Sequence, residues 1–172
     1  HHLSPPHHFP SPPAQGWGDY PSRRRHLSDP GRPVGTGGPH GRFDHARGTP
    51  DQVWIAGGVG VAPFLSWMRA IEEHPPPGHV DLYYAFTGRP APFADELTAI
   101  GAANEAVQVH LIDSAVDGRL TAARILAGSS IDSTRLSVFL CGPETMLQDL
   151  QRGLREGGIL SRHIPREYFD WR

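Results

Sequence analysis

The sequence contains no lysine, a single cysteine and no long apolar run. All 16 basic residues are arginine, which excludes lysine-based phosphate loops and Schiff-base chemistry. One cysteine excludes an internal disulfide. No apolar stretch approaches the roughly 20 residues that span a bilayer, and no signal-peptide core is visible. The net charge of −2 gives no indication of a nucleic-acid partner.

The first 50 residues have little with which to build a core. They hold 10 of the 18 prolines and 8 of the 20 glycines, and Val34 is their one β-branched aliphatic residue. The histidine pairs near the start have no carboxylate or thiol among them, so we predict no metal site. We expect residues 1–47 to be disordered or the truncated edge of another domain. Residues 48–172, with ordinary globular composition, should form a domain of their own.

Apolar runs typical of buried strands alternate with amphipathic helical segments along the rest of the chain. The predicted strands lie at 53–56, 80–86, 107–112 and 136–141, and the predicted helices at 64–71, 93–103, 121–127 and 146–154. A fifth strand is expected within 162–172. This alternation predicts an α/β fold, a doubly wound parallel sheet of five strands covered on both faces.

The loop after the first predicted strand is rich in glycine, and ligands bind at such strand ends in doubly wound sheets. Gly57, Gly58 and Gly60 would let the backbone approach an anion, and Pro63 at the first helical position would leave that helix open toward phosphates. The loop is not a G-x-G-x-x-G fingerprint, because Pro63 occupies the position of the third glycine. A tight turn without a ligand is the alternative.

Two further loops at the same edge carry candidate residues. Cys141, Gly142 and Pro143 end the fourth strand and open a helix, although a cysteine at a strand end is often only a small buried residue. No acidic residue ends the second strand, as it does in NAD-selective Rossmann folds. Thr87 and Arg89 can instead meet a 2′-phosphate, or Arg89 is a solvated loop residue. The choice between NADH and NADPH stays open.

The two glycine-containing loops together resemble a known family. GGVGVAPFLS (57–66) followed by CGPETM (141–146) is similar to the nicotinamide-nucleotide domain of the ferredoxin–NADP reductase superfamily. Three further segments are most similar to the reductase half of ferric-reductase-like transmembrane oxidoreductases: GPHGRFD (38–44), DGRLT (117–121) and EYFDWR (167–172). The resemblance extends over about residues 37–172.

The resemblance implies a cofactor pair and a set of contacts. NAD(P)H would lie across the carboxyl edge of the sheet, with its nicotinamide against an FAD held by a preceding flavin-binding β-barrel domain. Hydride would pass to the flavin, and single electrons would then pass to haem, an iron–sulfur centre or ferric iron. By motif, the pyrophosphate site would include Gly57, Gly58, Gly60 and Pro63. The nicotinamide would be bordered by Cys141, Gly142 and Pro143, with the thiol near the hydride-bearing carbon. Phe169 and Trp171 would contact the flavin or pack an edge strand.

The sequence departs from the family pattern upstream. Only the final strands of a flavin barrel fit before Gln52, and residues 1–36 have no counterpart of the flavin motif Arg-x-Tyr-Ser/Thr. We therefore expect a poorly ordered barrel remnant there, with FAD bound by the complete protein. The predicted function is the NAD(P)H-binding portion of a flavin oxidoreductase, cytoplasmic or tethered at the cytoplasmic face of a membrane. The alternative is a catalytically silent nucleotide-binding module or a degenerate fragment.

Overall fold

The computed structural model of the chain describes residues 43–88 and 90–168. Strands and helices alternate through these residues as predicted, and a fifth strand lies within the predicted segment. Their bounds are β1 Gln52–Gly57, α1 Ala62–Arg69, β2 Val80–Phe86, α2 Ala94–Ala102, β3 Val107–Asp113, α3 Ala122–Gly128, β4 Ser137–Gly142, α4 Glu144–Glu156 and β5 Arg166–Tyr168.

The five strands form one parallel sheet in the order β3-β2-β1-β4-β5. The chain builds outward from β1 to β3 and then returns to the other side of β1 to add β4 and β5. The strand order therefore reverses between β1 and β4, where a ligand crevice is expected beyond the carboxyl ends. This topology confirms the predicted doubly wound sheet.

Apolar clusters cover both faces of the sheet, which explains why β1 and β4 are buried along their whole length. One cluster joins Trp54 of β1 to Phe64 of α1 and Phe139 of β4. The other packs Leu147 of α4 against β1 and β4 from the opposite side. The one polar side chain at the start of β1, Gln52, accepts a hydrogen bond from the Trp54 indole Nε1 at 2.8 Å.

Each helix differs from its predicted bounds by one or two residues at its ends. Thr121 is the N-cap of α3, and its hydroxyl accepts from the Arg124 amide at 3.2 Å. Pro63, however, occupies the second position of α1 rather than the first. A short 3₁₀ turn over Gly58–Val61 precedes the helix and places Ala62 at its start.

Several predictions concern residues outside the described ranges: the 1–36 segment, Arg89, Phe169 and Trp171. The boundary between residues 47 and 48 stays a prediction. Phe43, on the amino-terminal side of that boundary, stacks on Trp67 of α1 with ring centroids 5.2 Å apart. Within the described residues, no helix is both long and apolar enough to cross a membrane.

Candidate nucleotide-binding site

The 3₁₀ turn after β1 and the carboxyl ends of β1 and β4 touch backbone to backbone at the point where the strand order reverses. A Cβ atom added to Gly60 would lie 2.2 Å from the carbonyl oxygen of Cys141, and one on Gly142 would lie 3.0 Å from the Cα of Gly57. The Gly60 contact leaves no room for a side chain, whereas a side chain at Gly142 would require its neighbour to move by a few tenths of an ångström. The absence of a side chain at Gly60 is therefore required by its contact with Cys141.

Gly58 differs from its neighbours because the space beside it is open. Its φ is +52°, a conformation that side chains other than glycine rarely adopt, and an added Cβ would meet no protein atom within 4 Å. Neither packing nor a neighbouring loop fills this position. Gly58 therefore presents its backbone toward an unfilled space at the carboxyl edge of the sheet, as the predicted approach of a phosphate requires.

That space belongs to a cleft of about 630 Å³. The cleft begins at the ends of β1, β2 and β3 and continues between the first turns of α3 and α4. Four residues predicted from the sequence line it: Gly57, Gly58, Thr87 and Pro143. The lining does not include Gly60, Pro63, Cys141 or Gly142. Contact of these four with a nucleotide stays a prediction.

A hydroxyl pair lies at the β2–β3 end of the cleft. The Thr87 Oγ1 and Ser114 Oγ atoms are 2.7 Å apart and form a hydrogen bond at the surface. Beside them, the Asp113 carboxylate accepts from the amides of Gly88 and Ala115, both at 3.0 Å. Asp113 is buried, and its hydrogen bonds hold the loops after β2 and β3 together.

Sequence reasoning did not single out Asp113 and Ser114. The signal available was their position at the carboxyl end of a predicted strand, the same criterion that led to Thr87. Their pairing with Gly88 and Thr87 depends on β2 and β3 being neighbours in the sheet. The register of these two strands sets that pairing, and it joins residues that are 25 or more positions apart in the chain.

The amino end of α4 lies at the cleft and has no side-chain cap among the described residues. Pro143 is the N-cap and has no side-chain oxygen with which to cap the helix, and Thr145 in the first turn lines the cleft together with Gly58. A helix of 13 residues carries a partial positive charge at its amino end. Amides from the turn at Gly58 and from the start of α4 are thus available to an anion bound between them.

The Cys141 thiol is fully buried and lies in the apolar cluster on the α1–α2 face. Burial and the nearby charge of Glu167 raise its pKa to about 12, so the thiol is protonated at neutral pH. Glu167 is its register partner on β5, a relation that the sequence alone did not identify. A protonated, enclosed thiol does not suit nucleophilic attack. Because Cys141 has no exposed surface, its contact with a nicotinamide stays a prediction.

The cleft has one side chain of each charge among its described lining residues, Arg119 and Asp149. Arg119 lies in the loop before α3. Asp149 lies in the second turn of α4, and its Oδ1 accepts from Arg152 at 2.6 Å. Sequence reasoning did not select Asp149, because α4 reads simply as an amphipathic helix.

Comparisons of this chain with known proteins identify a family and several relatives. A family described as the oxidoreductase NAD-binding domain matches residues 54–152. Flavohemoprotein A of Dictyostelium discoideum is 30% identical over 119 residues, which are 67% of this chain and 29% of the relative. The flavohemoglobin structure from Malassezia yamatoensis, determined with bound FAD and haem, is 26% identical with a TM-score of 0.59, covering 70% of this chain and 32% of that one.

A third comparison concerns the fold alone. A ferredoxin–NADP⁺ reductase from Neisseria gonorrhoeae, solved with FAD and NADP, has a TM-score of 0.61 at 19% identity, covering 74% of this chain and 58% of that one. The chain spans only about a third of the flavohemoproteins that it matches. The family match, which covers more than half of the chain, identifies it as a member of the oxidoreductase NAD-binding domain family.

Proposed function

We propose that this chain is the NAD(P)H-binding portion of a flavin-dependent oxidoreductase. NAD(P)H binds across the carboxyl edge of the sheet and transfers a hydride to FAD held by a flavin-binding domain. NAD(P)⁺ leaves, and the two electrons pass singly to haem, an iron–sulfur centre or ferric iron. The observation that carries this proposal is Gly58, whose positive φ and open surroundings lie beside the uncapped amino end of α4.

The residues of this chain divide the work of binding. The turn at Gly58 and the first turn of α4, with Thr145, hold the pyrophosphate. Thr87 and its hydrogen-bond partner Ser114 meet the ribose of the adenosine half or its 2′-phosphate, with Arg89 as the further predicted contact. Gly142 and Pro143 border the nicotinamide, and the Cys141 thiol, which the structure encloses, would reach the ring only after a local movement of the carboxyl end of β4.

When bound, FAD supplies the conversion of a two-electron hydride into single electrons. Phe169 and Trp171, which we propose as flavin contacts, follow directly after β5. A second cleft of about 680 Å³ lies beside β4 and β5, where Phe43, Phe139 and Pro165 contribute to its wall. Its lining on β4, Ser137 and Phe139, belongs to the amino-terminal half of that strand and does not include Cys141, so the proposed flavin contacts rest on the position of Phe169 and Trp171 after β5.

The acceptor and the cellular setting belong to the complete protein. The flavohemoprotein relatives favour haem as the acceptor. The similarity of segments 38–44, 117–121 and 167–172 to ferric-reductase-like proteins favours ferric iron and a membrane-tethered protein with this portion on the cytoplasmic face. With either set of relatives, the proposed electron acceptor is a metal centre.

Anaerobic titration of the full-length protein with NADH and NADPH tests the proposal. We expect purified protein to show flavin absorption that bleaches with one equivalent of reduced nucleotide. Flavin that stays oxidised in the presence of either nucleotide would refute hydride transfer. Nucleotide binding without any flavin in the full-length protein would instead support the silent-module alternative.

A further inference from the structure

We infer that the free edge of β3 is an interface between two copies of this chain, which pair their β3 strands in antiparallel orientation. The pairing joins the five-stranded sheet of one copy to that of the other. The described lining of the nucleotide cleft contains no residue of β3. The inference therefore goes beyond the proposed function and does not depend on it.

Hydrogen bonds at the two ends of β3 show which of its backbone groups face β2. The Ala106 carbonyl, just before the strand, accepts from the Val80 amide of β2 at 2.8 Å. The Ser114 amide, just after it, donates to the Phe86 carbonyl of β2, also at 2.8 Å. Backbone groups alternate in direction along a strand. The even-numbered residues of β3 therefore face β2, and the odd-numbered ones face the free edge.

The free edge is closed at its ends and open in its middle. The amide of Val107 donates to a carbonyl three residues earlier at 3.1 Å, and the amide of Asp113 donates to Oδ2 of Asp117 at 3.0 Å. Between these ends, the amides and carbonyls of Val109 and Leu111 point away from β2. Among the described residues, β3 has no neighbouring strand on that side.

The composition of β3 does not oppose pairing. Positions 107–112 read VQVHLI and contain no proline, lysine, arginine, aspartate or glutamate, the residues with which proteins usually protect exposed edges. The other edge of the sheet is different, because β5 has only three residues and begins with Arg166 and Glu167. The seven-residue β3 is therefore the edge that suits strand addition.

A second copy of β3 is a complementary partner for this edge. With a twofold axis at Val109, each Val107 lies opposite Leu111 of the other copy. These apolar pairs extend the cluster against which Val109 and Leu111 already pack. On the other face Gln108 lies opposite His110, so no two like charges meet. A net charge of −2 for the whole chain adds little repulsion between copies.

Sedimentation equilibrium of the full 172-residue chain over a series of concentrations tests the inference. We expect the wild-type chain to reach twice the mass of one chain as its concentration rises, and Val109→Pro to keep the mass of one chain. Proline removes an amide from the free edge and leaves the bonds to β2 intact. The matched control, Val109→Ala, keeps that amide and should still form the dimer.

Amide hydrogen exchange measured by NMR tests the same interface without a substitution. In concentrated samples, the amides of Val109 and Leu111 should exchange about tenfold more slowly than in dilute ones, because the second copy protects them. The amides of Gln108 and His110 bond to β2 and should exchange slowly at both concentrations.

Three outcomes would overturn the inference. The first is a wild-type chain that stays monomeric at every concentration. The second is a dimer that persists in Val109→Pro with a urea midpoint near that of Val109→Ala, because its interface would then lie elsewhere. The third is exchange at Val109 and Leu111 that does not depend on concentration, and this result decides the matter if Val109→Pro fails to fold. None of these outcomes affects nucleotide binding, which calorimetric titration with NADH and NADPH measures separately.

Discussion

Replacing Gly58 with alanine should weaken nucleotide binding much more than it weakens the fold. The added methyl group enters open space, with no protein atom within 4 Å, so packing does not oppose it. The remaining cost is the strain of φ +52° for a residue with a side chain, about 1–2 kcal/mol in the free energy of unfolding. The chain should therefore still fold.

Binding is affected differently, because the methyl group occupies the space through which a phosphate would approach the turn. Loss of one hydrogen bond between a backbone amide and a phosphate is worth about 1.5–3 kcal/mol. That corresponds to a dissociation constant about tenfold to a hundredfold higher. Calorimetric titration with NADH and NADPH measures it, and urea unfolding measures the stability cost in the same preparation.

Gly158 provides the control. It also has a positive φ, of 100°, and lies just beyond the carboxyl end of α4, away from the cleft-lining residues. Gly158→Ala should lower the free energy of unfolding and leave nucleotide affinity unchanged. If Gly58→Ala bound nucleotide with wild-type affinity, or if both variants lost affinity equally, the assignment of Gly58 to the pyrophosphate site would be wrong.

Three further predictions concern residues around the site. Gly60→Ala should destabilise the domain severely, because its Cβ would collide with the Cys141 carbonyl oxygen; a urea midpoint close to that of the wild type would contradict the close contact of the two loops. Cys141, whose pKa is raised to about 12 by burial and Glu167, should resist iodoacetamide in the folded protein at pH 7 and react once urea unfolds it, and mass spectrometry distinguishes the two states. Burial lowers the pKa of His45 below 6.5, partly opposed by Asp44, so the unfolded chain takes up this proton first and the free energy of unfolding should fall as the pH drops below about 6.5. Urea titrations at pH 7.5 and 5.5 should show a smaller loss in His45→Phe than in the wild type, and an equal loss would refute the assignment.

The fold followed from the sequence because its strongest signals are local. Continuous apolar runs such as 53–56 identify strands buried on both faces, and Thr121 carries its own capping signal. The predicted start of α1 was less accurate, because glycines allow the chain to form a 3₁₀ turn at Gly58–Val61 before the helix begins. A proline fits either of the first two helical positions, so Pro63 alone did not fix the boundary.

The sequence predicted which loops form the site but did not distinguish the roles of the residues within them. From the sequence, Gly58 and Gly60 were predicted to be equivalent phosphate contacts. In the structure, Gly60 packs against the carbonyl of Cys141, 81 residues away, and Gly58 faces open space. The burial of Cys141 beside Glu167 likewise depends on β4 pairing with β5. Contacts set by sheet register carry no local signal, which is why these distinctions required the three-dimensional structure.

Amide hydrogen exchange with and without NADH or NADPH tests the central claim most directly, because it reports where on this chain a nucleotide binds. The account predicts slower exchange in the 57–63 turn and at residues 144–146 of α4 when nucleotide is added, with no change in α2 on the opposite face of the sheet. Unchanged exchange in both segments at saturating nucleotide, or protection confined to residues away from the carboxyl edge, would contradict it.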